Sequence, residues 1–132
     1  MTWGSWGKQL SNKEMEALMN FCVSNHITTF DHADIYGAYT TEADFGKAFK
    51  GSSLKREDLQ LISKCGIQEL SDNRKNKVKH YNYSKDHIIC SVEDSLKNLE
   101  TDYLDLLLLH RPSPLMVAED IAEAITVLKK DG

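Results

Sequence analysis

Four side chains of this sequence, Asp31, Tyr36, Lys64 and His110, could together protonate a carbonyl oxygen. A free tyrosine ionises at a pH of about 10, so alone it is a poor acid catalyst at neutral pH. A lysine ammonium beside a phenol stabilises the phenolate and eases release of the proton. An aspartate beside the lysine keeps it charged and oriented. A histidine can aim a substrate carbonyl by donating a hydrogen bond. General acid assistance of this kind is worth roughly 10²–10⁴-fold in rate. The hydride that completes a reduction must come from a cofactor, because no side chain supplies one.

These residues lie far apart in sequence, so the fold must gather them. Three runs read as strands: Thr28 to Gly37, which carries Asp31 and Tyr36; Leu59 to Lys64; and Tyr103 to Pro112, which carries His110. In a parallel α/β barrel the active site sits at the carboxyl ends of the strands, where all four would converge. Helical patterns alternate with the strands. Ser11 and Glu14 form a capping box ahead of Met15, Leu18, Met19 and Cys22. Thr40 or Thr41 caps a second helix through Phe45, Ala48 and Phe49, broken by Gly51-Ser52-Ser53. Ser84 caps a third, with Ile88, Ile89, Val92, Leu96 and Leu99 on one face. Pro112 and Pro114 mark a loop. A fourth helix carries Val117, Ile121, Ala124, Ile125 and Leu128, with Asp131-Gly132 as its stop. Strands alternating with helices argue for βα units and a parallel sheet. The nearly all-apolar strand runs suit a sheet covered by helices.

Composition narrows the function classes. The length of 132 residues suits one domain, and 41% hydrophobic content is enough for a core. A net charge of −4 argues against nucleic acid as the main partner. The longest leucine run, Leu106 to Leu109, is far too short to span a membrane, and no secretory signal opens the chain. Cys22, Cys65 and Cys90 have no metal-ligand spacing and suit reduced thiols in the cytoplasm.

The segment Asp31-His32-Ala33-Asp34-Ile35-Tyr36-Gly37 resembles the signature of the aldo-keto reductase family. Ile62-Ser63-Lys64-Cys65-Gly66 resembles the family's lysine strand, and Leu104 to Pro112 its histidine strand. The wording looks closest to a bacterial branch of aldo-keto oxidoreductases. The resemblance implies a (β/α)₈ barrel and reduction of a small aldehyde or ketone with NADPH or NADH. It makes Tyr36 the general acid, Lys64 the cation that tunes it, Asp31 the partner of Lys64, and His110 the group that orients the carbonyl. A whole barrel takes about 250 residues. Residues 1–132 are therefore expected to supply about the first four βα units, truncated at both ends. Met1-Thr2-Trp3-Gly4 resembles the tail of the family's first strand and the loop after it. Most cofactor contacts would then lie outside this chain, which would be inactive alone and would self-associate through unpaired strand edges. A non-catalytic regulatory role on the same scaffold is the alternative, since fold alone does not decide function.

Several other residues have two readings. Trp3, Tyr81 and Arg111 lie in loops at the active-site end and are candidates for lining the substrate pocket. Trp3 and Trp6 read equally as packing anchors. His32 and Asp34 have metal-ligating side chains, but the motif around them favours no metal. Asp105 reads as a structural hydrogen-bonding group. Arg74, Lys75, Lys77, Lys79 and His80 fall in the loop after the lysine strand, as a solvated face or a steering patch for an anion.

Overall fold

The computed structural model describes residues 2–131; the readings placed on Met1 and Gly132 lie outside the described residues. Helix α1, Asn12–Ser24, begins at the expected capping box: Ser11 N–H donates to Glu14 at 2.8 Å, and Glu14 N–H returns to Ser11 Oγ at 3.4 Å. Met15 and Met19, one turn apart, are its buried residues. His26, with φ of 61°, turns the chain back into strand β1, Thr29–Asp31. A turn, α2, Tyr36–Tyr39, leads into helix α3, Thr41–Gly51. Strand β2 is Gln60–Cys65. A hairpin follows, with antiparallel strands β3, Ile67–Gln68, and β4, His80–Tyr81. Helix α4, Lys85–Leu99, leads to strand β5, Leu106–Leu109, and helix α5 is Ala118–Asp131.

Strands β1, β2 and β5 form one parallel sheet in that order, with helical crossovers between them. The sheet and its helices make about the first half of a (β/α)₈ barrel. Alternation decides which side chains meet the helices. Phe30 pairs with Leu61 in register, and both are buried with Met15, Met19, Phe45, Phe49, Leu59 and Leu99. Cys65 packs with Ile88 and Ala124 beneath α4 and α5. The opposite face carries Asp31, Ile62, Lys64, Leu106 and Leu108, and there Leu106 is 44% exposed. Helices α3 and α4 approach so closely at Gly46 that a Cβ there would lie 2.0 Å from Asn98 O.

Several boundaries differ from the sequence reading. The run from Thr28 to Gly37 is not one strand: β1 stops at Asp31, although His32 and Asp34 still donate to Ile62 O and Lys64 O. The Leu-rich strand is only four residues long, because Arg56 captures Tyr103 O and Asp105 before it starts. Neither Thr40 nor Ser84 caps its helix with its side chain. Thr40 donates instead to Gly37 O, and Asn82 Oδ1 accepts from the N–H and the hydroxyl of Ser84. His80 and Tyr81 belong to strand β4 and not to a loop, since cross-strand pairing with β3 captures them. Asp105 does make structural bonds, accepting from Arg56 and from Leu61 N–H, each at 2.7 Å.

Candidate active site

The β1–β2 register puts Asp31 and Lys64 on the same face of the sheet, at its carboxyl edge. Lys64 Nζ lies 2.7 Å from the Asp31 carboxylate, 2.6 Å from His32 O and 3.2 Å from Tyr36 Oη. All three ammonium protons thus have acceptors, which fixes the long side chain in one geometry. The lysine side chain is 13% exposed and that of Asp31 is 52% exposed, so the pair opens to solvent on the aspartate side.

Tyr36 reaches Lys64 from the segment after β1, where Asp34 N–H donates to Lys64 O at 3.0 Å, and the backbone then turns left-handed. Gly37, Ala38 and Tyr39 have φ of 59°, 54° and 70°. Such dihedrals cost an L-residue roughly 1–2 kcal/mol each. Bonds from residues distant in sequence offset that cost. Ala38 O accepts from Asn73 Nδ2 at 2.9 Å and Ser71 Oγ at 3.3 Å, and Tyr39 Oη accepts from Glu69 N–H at 2.8 Å. Arg74 stacks over the Tyr39 ring at 4.6 Å and pairs with Asp94. One member of the basic run therefore braces the tyrosine turn, and Lys79 pairs with Glu69.

His110 follows β5 directly, and its N–H donates to Cys65 O at 2.8 Å. Its ring meets that of Tyr36 edge-on, with centroids 5.9 Å apart. Burial, the nearby Lys64 ammonium and Arg111 hold the imidazole below the ordinary histidine range, against the pull of Asp31. A neutral imidazole keeps one N–H donor and one acceptor. Its Nδ1 is buried without a hydrogen-bond partner. The four residues singled out in the sequence thus converge. A proton donor, a cation on its oxygen, an anion on the cation and a second hydrogen-bonding ring stand together, a set able to protonate a polar oxygen and stabilise the phenolate left behind.

The other candidates divide. Trp3 packs on Phe30 and Phe45, with centroids 6.0 and 6.4 Å away, as a core anchor. Trp6 is 56% exposed. Tyr81 is 44% exposed and stacks on Tyr83 at 6.2 Å. Arg111 is exposed, in a left-handed conformation with φ of 81°. Sequence reasoning missed Tyr83, whose hydroxyl donates to the carbonyls of both His110 and Arg111 and so ties down the histidine. Its ring lies on Gly66, where φ is 117° and a Cβ would come within 1.9 Å of it. No local pattern marks a tyrosine before a helix as an anchor for a strand 27 residues on.

Beneath the site lies a buried polar layer. His32 is fully buried against Phe45, with both ring nitrogens lacking hydrogen bonds, and burial pushes its pKa down to about 3. Asp34 is 8% exposed; burial and the charge of Glu42 push its pKa up to about 7. Among the described residues no three His, Cys, Asp or Glu side chains are grouped to hold a metal ion. No helix among them is long and apolar enough to cross a membrane.

Comparison with known proteins gives the chain its relatives. A model of the aldo/keto reductase family matches residues 1–132. The chain is 52% identical over 123 residues to the uncharacterized oxidoreductase YcsN of Bacillus subtilis, covering 92% of this chain and 41% of that protein. It is 45% identical to the oxidoreductase YdhF of Escherichia coli, covering 98% of this chain and 44% of that one. The chain thus spans less than half the length of these curated relatives. The holo form of an aldo-keto reductase from Bacillus halodurans superposes with a TM-score of 0.79 at 29% identity, covering 99% of this chain and 40% of that chain.

Proposed function

Because the chain belongs to the aldo/keto reductase family, we propose that it carries the proton-donating half of a carbonyl reductase. In this reading Tyr36 gives its phenolic proton to the oxygen of an aldehyde or ketone. Lys64 stabilises the resulting phenolate across the 3.2 Å contact. Asp31 holds Lys64 charged and aimed. His110, neutral at physiological pH, donates from its ring to the carbonyl oxygen and orients it. The observation that carries this reading is the three-way contact of Lys64 with Asp31, His32 O and Tyr36 Oη.

A nicotinamide cofactor, NADPH or NADH, would supply the hydride when bound. The residues here fit its reacting end. At the open sheet edge beside half-exposed Asp31, Tyr36 and His110 would line the space open to its reacting end and to the substrate. In the sequence the seven glycines are scattered and make no glycine-rich phosphate loop. In this reading its phosphates would be held by the later βα units of a complete barrel.

The test joins residues 1–132 to the C-terminal portion of the Bacillus subtilis relative and follows cofactor oxidation with simple aldehydes. Tyr36→Phe keeps the ring and removes the proton, so turnover is expected to fall at least about 10²-fold with the melting temperature unchanged. A folded fusion that is silent with every carbonyl offered would favour the non-catalytic alternative, and one whose phenylalanine variant turns over as well as its parent would remove Tyr36 as the proton donor.

A further inference from the structure

The buried layer beneath the site contains one group that the proposed chemistry does not use. Glu42 is 3% exposed, in the first turn of α3, six residues after Tyr36. An acidic residue at a helix start is ordinary on a surface; here the side chain points inward. Its carboxyl group accepts from Ser63 Oγ at 2.5 Å and from Ser95 Oγ at 3.1 Å. The two hydroxyls are themselves 3.5 Å apart. Ser63 immediately precedes Lys64 on β2, with its side chain on the opposite face of the strand. Ser95 belongs to α4. One carboxyl group therefore ties together the helix that continues the tyrosine turn, the strand that bears the lysine, and the helix packed behind both.

We infer that Glu42 is a positioning residue: through Ser63 it fixes β2 against α3 and so sets the distance between Lys64 Nζ and Tyr36 Oη. Other ties lie to either side of that point. The β1–β2 ladder holds the backbone on the Asp31 side, through His32 N–H and Asp34 N–H. Tyr39 and Ala38 are held to the segment after β3, and not to β2 itself. The Glu42–Ser63 bond is the cross-link between the α3 side of the tyrosine turn and the strand beneath Lys64. A buried network whose members are all bonded favours one relative placement of the groups it joins.

This inference rests on the reading of Tyr36 and Lys64 given above, and the test separates the two. Solution NMR of this chain, with lysine and tyrosine selectively labelled, reads the cross-relaxation peak between the Lys64 side chain and the Tyr36 ring, which lie 4.9 Å apart from Nζ to centroid. Tyr36→Phe assigns the ring. The peak is expected to be lost in Glu42→Ala and in Ser63→Ala, and kept in Glu42→Gln, which retains an acceptor oxygen and the shape. Ser95→Ala removes a bond to the same carboxyl group and leaves the Glu42–Ser63 bond in place, and is expected to keep the peak. Ser63→Ala carries the test if Glu42→Ala does not fold, since it deletes a single hydroxyl. A peak that survives in folded Ser63→Ala or Glu42→Ala overturns the positioning role while leaving the proposed function standing. A peak absent from the unaltered chain overturns both.

Discussion

Replacing Asp34 with asparagine tests whether the layer beneath the site holds a proton that the unfolded chain gives up. Asp34 is buried, its Oδ1 has no hydrogen-bond partner, and burial together with Glu42 pushes its pKa from 3.8 up to about 7. The folded pKa lies above the unfolded one. The contribution to stability is therefore complete below the unfolded value and is lost as pH rises through the folded value. Each unit of separation is worth about 1.4 kcal/mol, so the whole effect approaches ~4 kcal/mol. Roughly a third of it is already lost at about pH 5 and nearly all by about pH 8, which leaves ~2.5 kcal/mol between them. His32 acts in the other direction. Its pKa is pushed down to about 3, so its contribution is lost as pH falls below the ordinary histidine value of 6.5. The unaltered chain should therefore show a shallow pH profile that conceals two opposed linkages. Asparagine cannot titrate, so Asp34→Asn should gain ~2.5 kcal/mol relative to the unaltered chain on going from about pH 5 to about pH 8. Urea denaturation at both pH values measures this. Any penalty from the amide itself is the same at each and cancels. Identical pH dependence for the two proteins would refute the claim that Asp34 is folded as a neutral acid.

Three further outcomes follow from the packing. Gly66→Ala forces a Cβ onto the Tyr83 ring at a φ of 117°, and should destabilise the chain by at least about 2 kcal/mol in a urea melt; an unchanged midpoint would show that Tyr83 is not seated there. Arg56→Met removes the donor shared by Leu59 O, Tyr103 O and Asp105. Burial opposes ionisation of Asp105, but bonds from Leu61 N–H and Arg56 hold its carboxyl below the usual range. The loss should be about 1–3 kcal/mol at neutral pH and shrink in acid as Asp105 protonates; a loss independent of pH would rule out the Asp105 contact as its source. Strand β5 pairs with β2 on one side and exposes Leu106 and Leu108. The chain should self-associate in sedimentation, and Leu108→Lys should shift it toward monomer; a monomer at every concentration would sink this expectation.

The sequence by itself placed the three parallel strands and the main helices in order and singled out four residues that the fold brings together. Apolar runs ending on Asp31, Lys64 and His110 are local signals, and a parallel βα chain has one edge on which strand ends can meet. The capping box at Ser11 and Glu14 was legible for the same reason, since both partners lie within one helical turn. What only the tertiary structure decided depends on residues distant in sequence. Tyr36 opens a turn of three successive left-handed residues, and those are held by Asn73, Ser71 and Glu69 from beyond β3. Nothing local to Ala38 or Tyr39 favours that conformation. Tyr83 secures His110 across the sheet edge, and Glu42 meets Ser63 and Ser95 only when α3 and α4 pack on β2. Residue type and spacing carried the chemistry. Its geometry depends on contacts between elements, and those form only when the sheet and helices pack together.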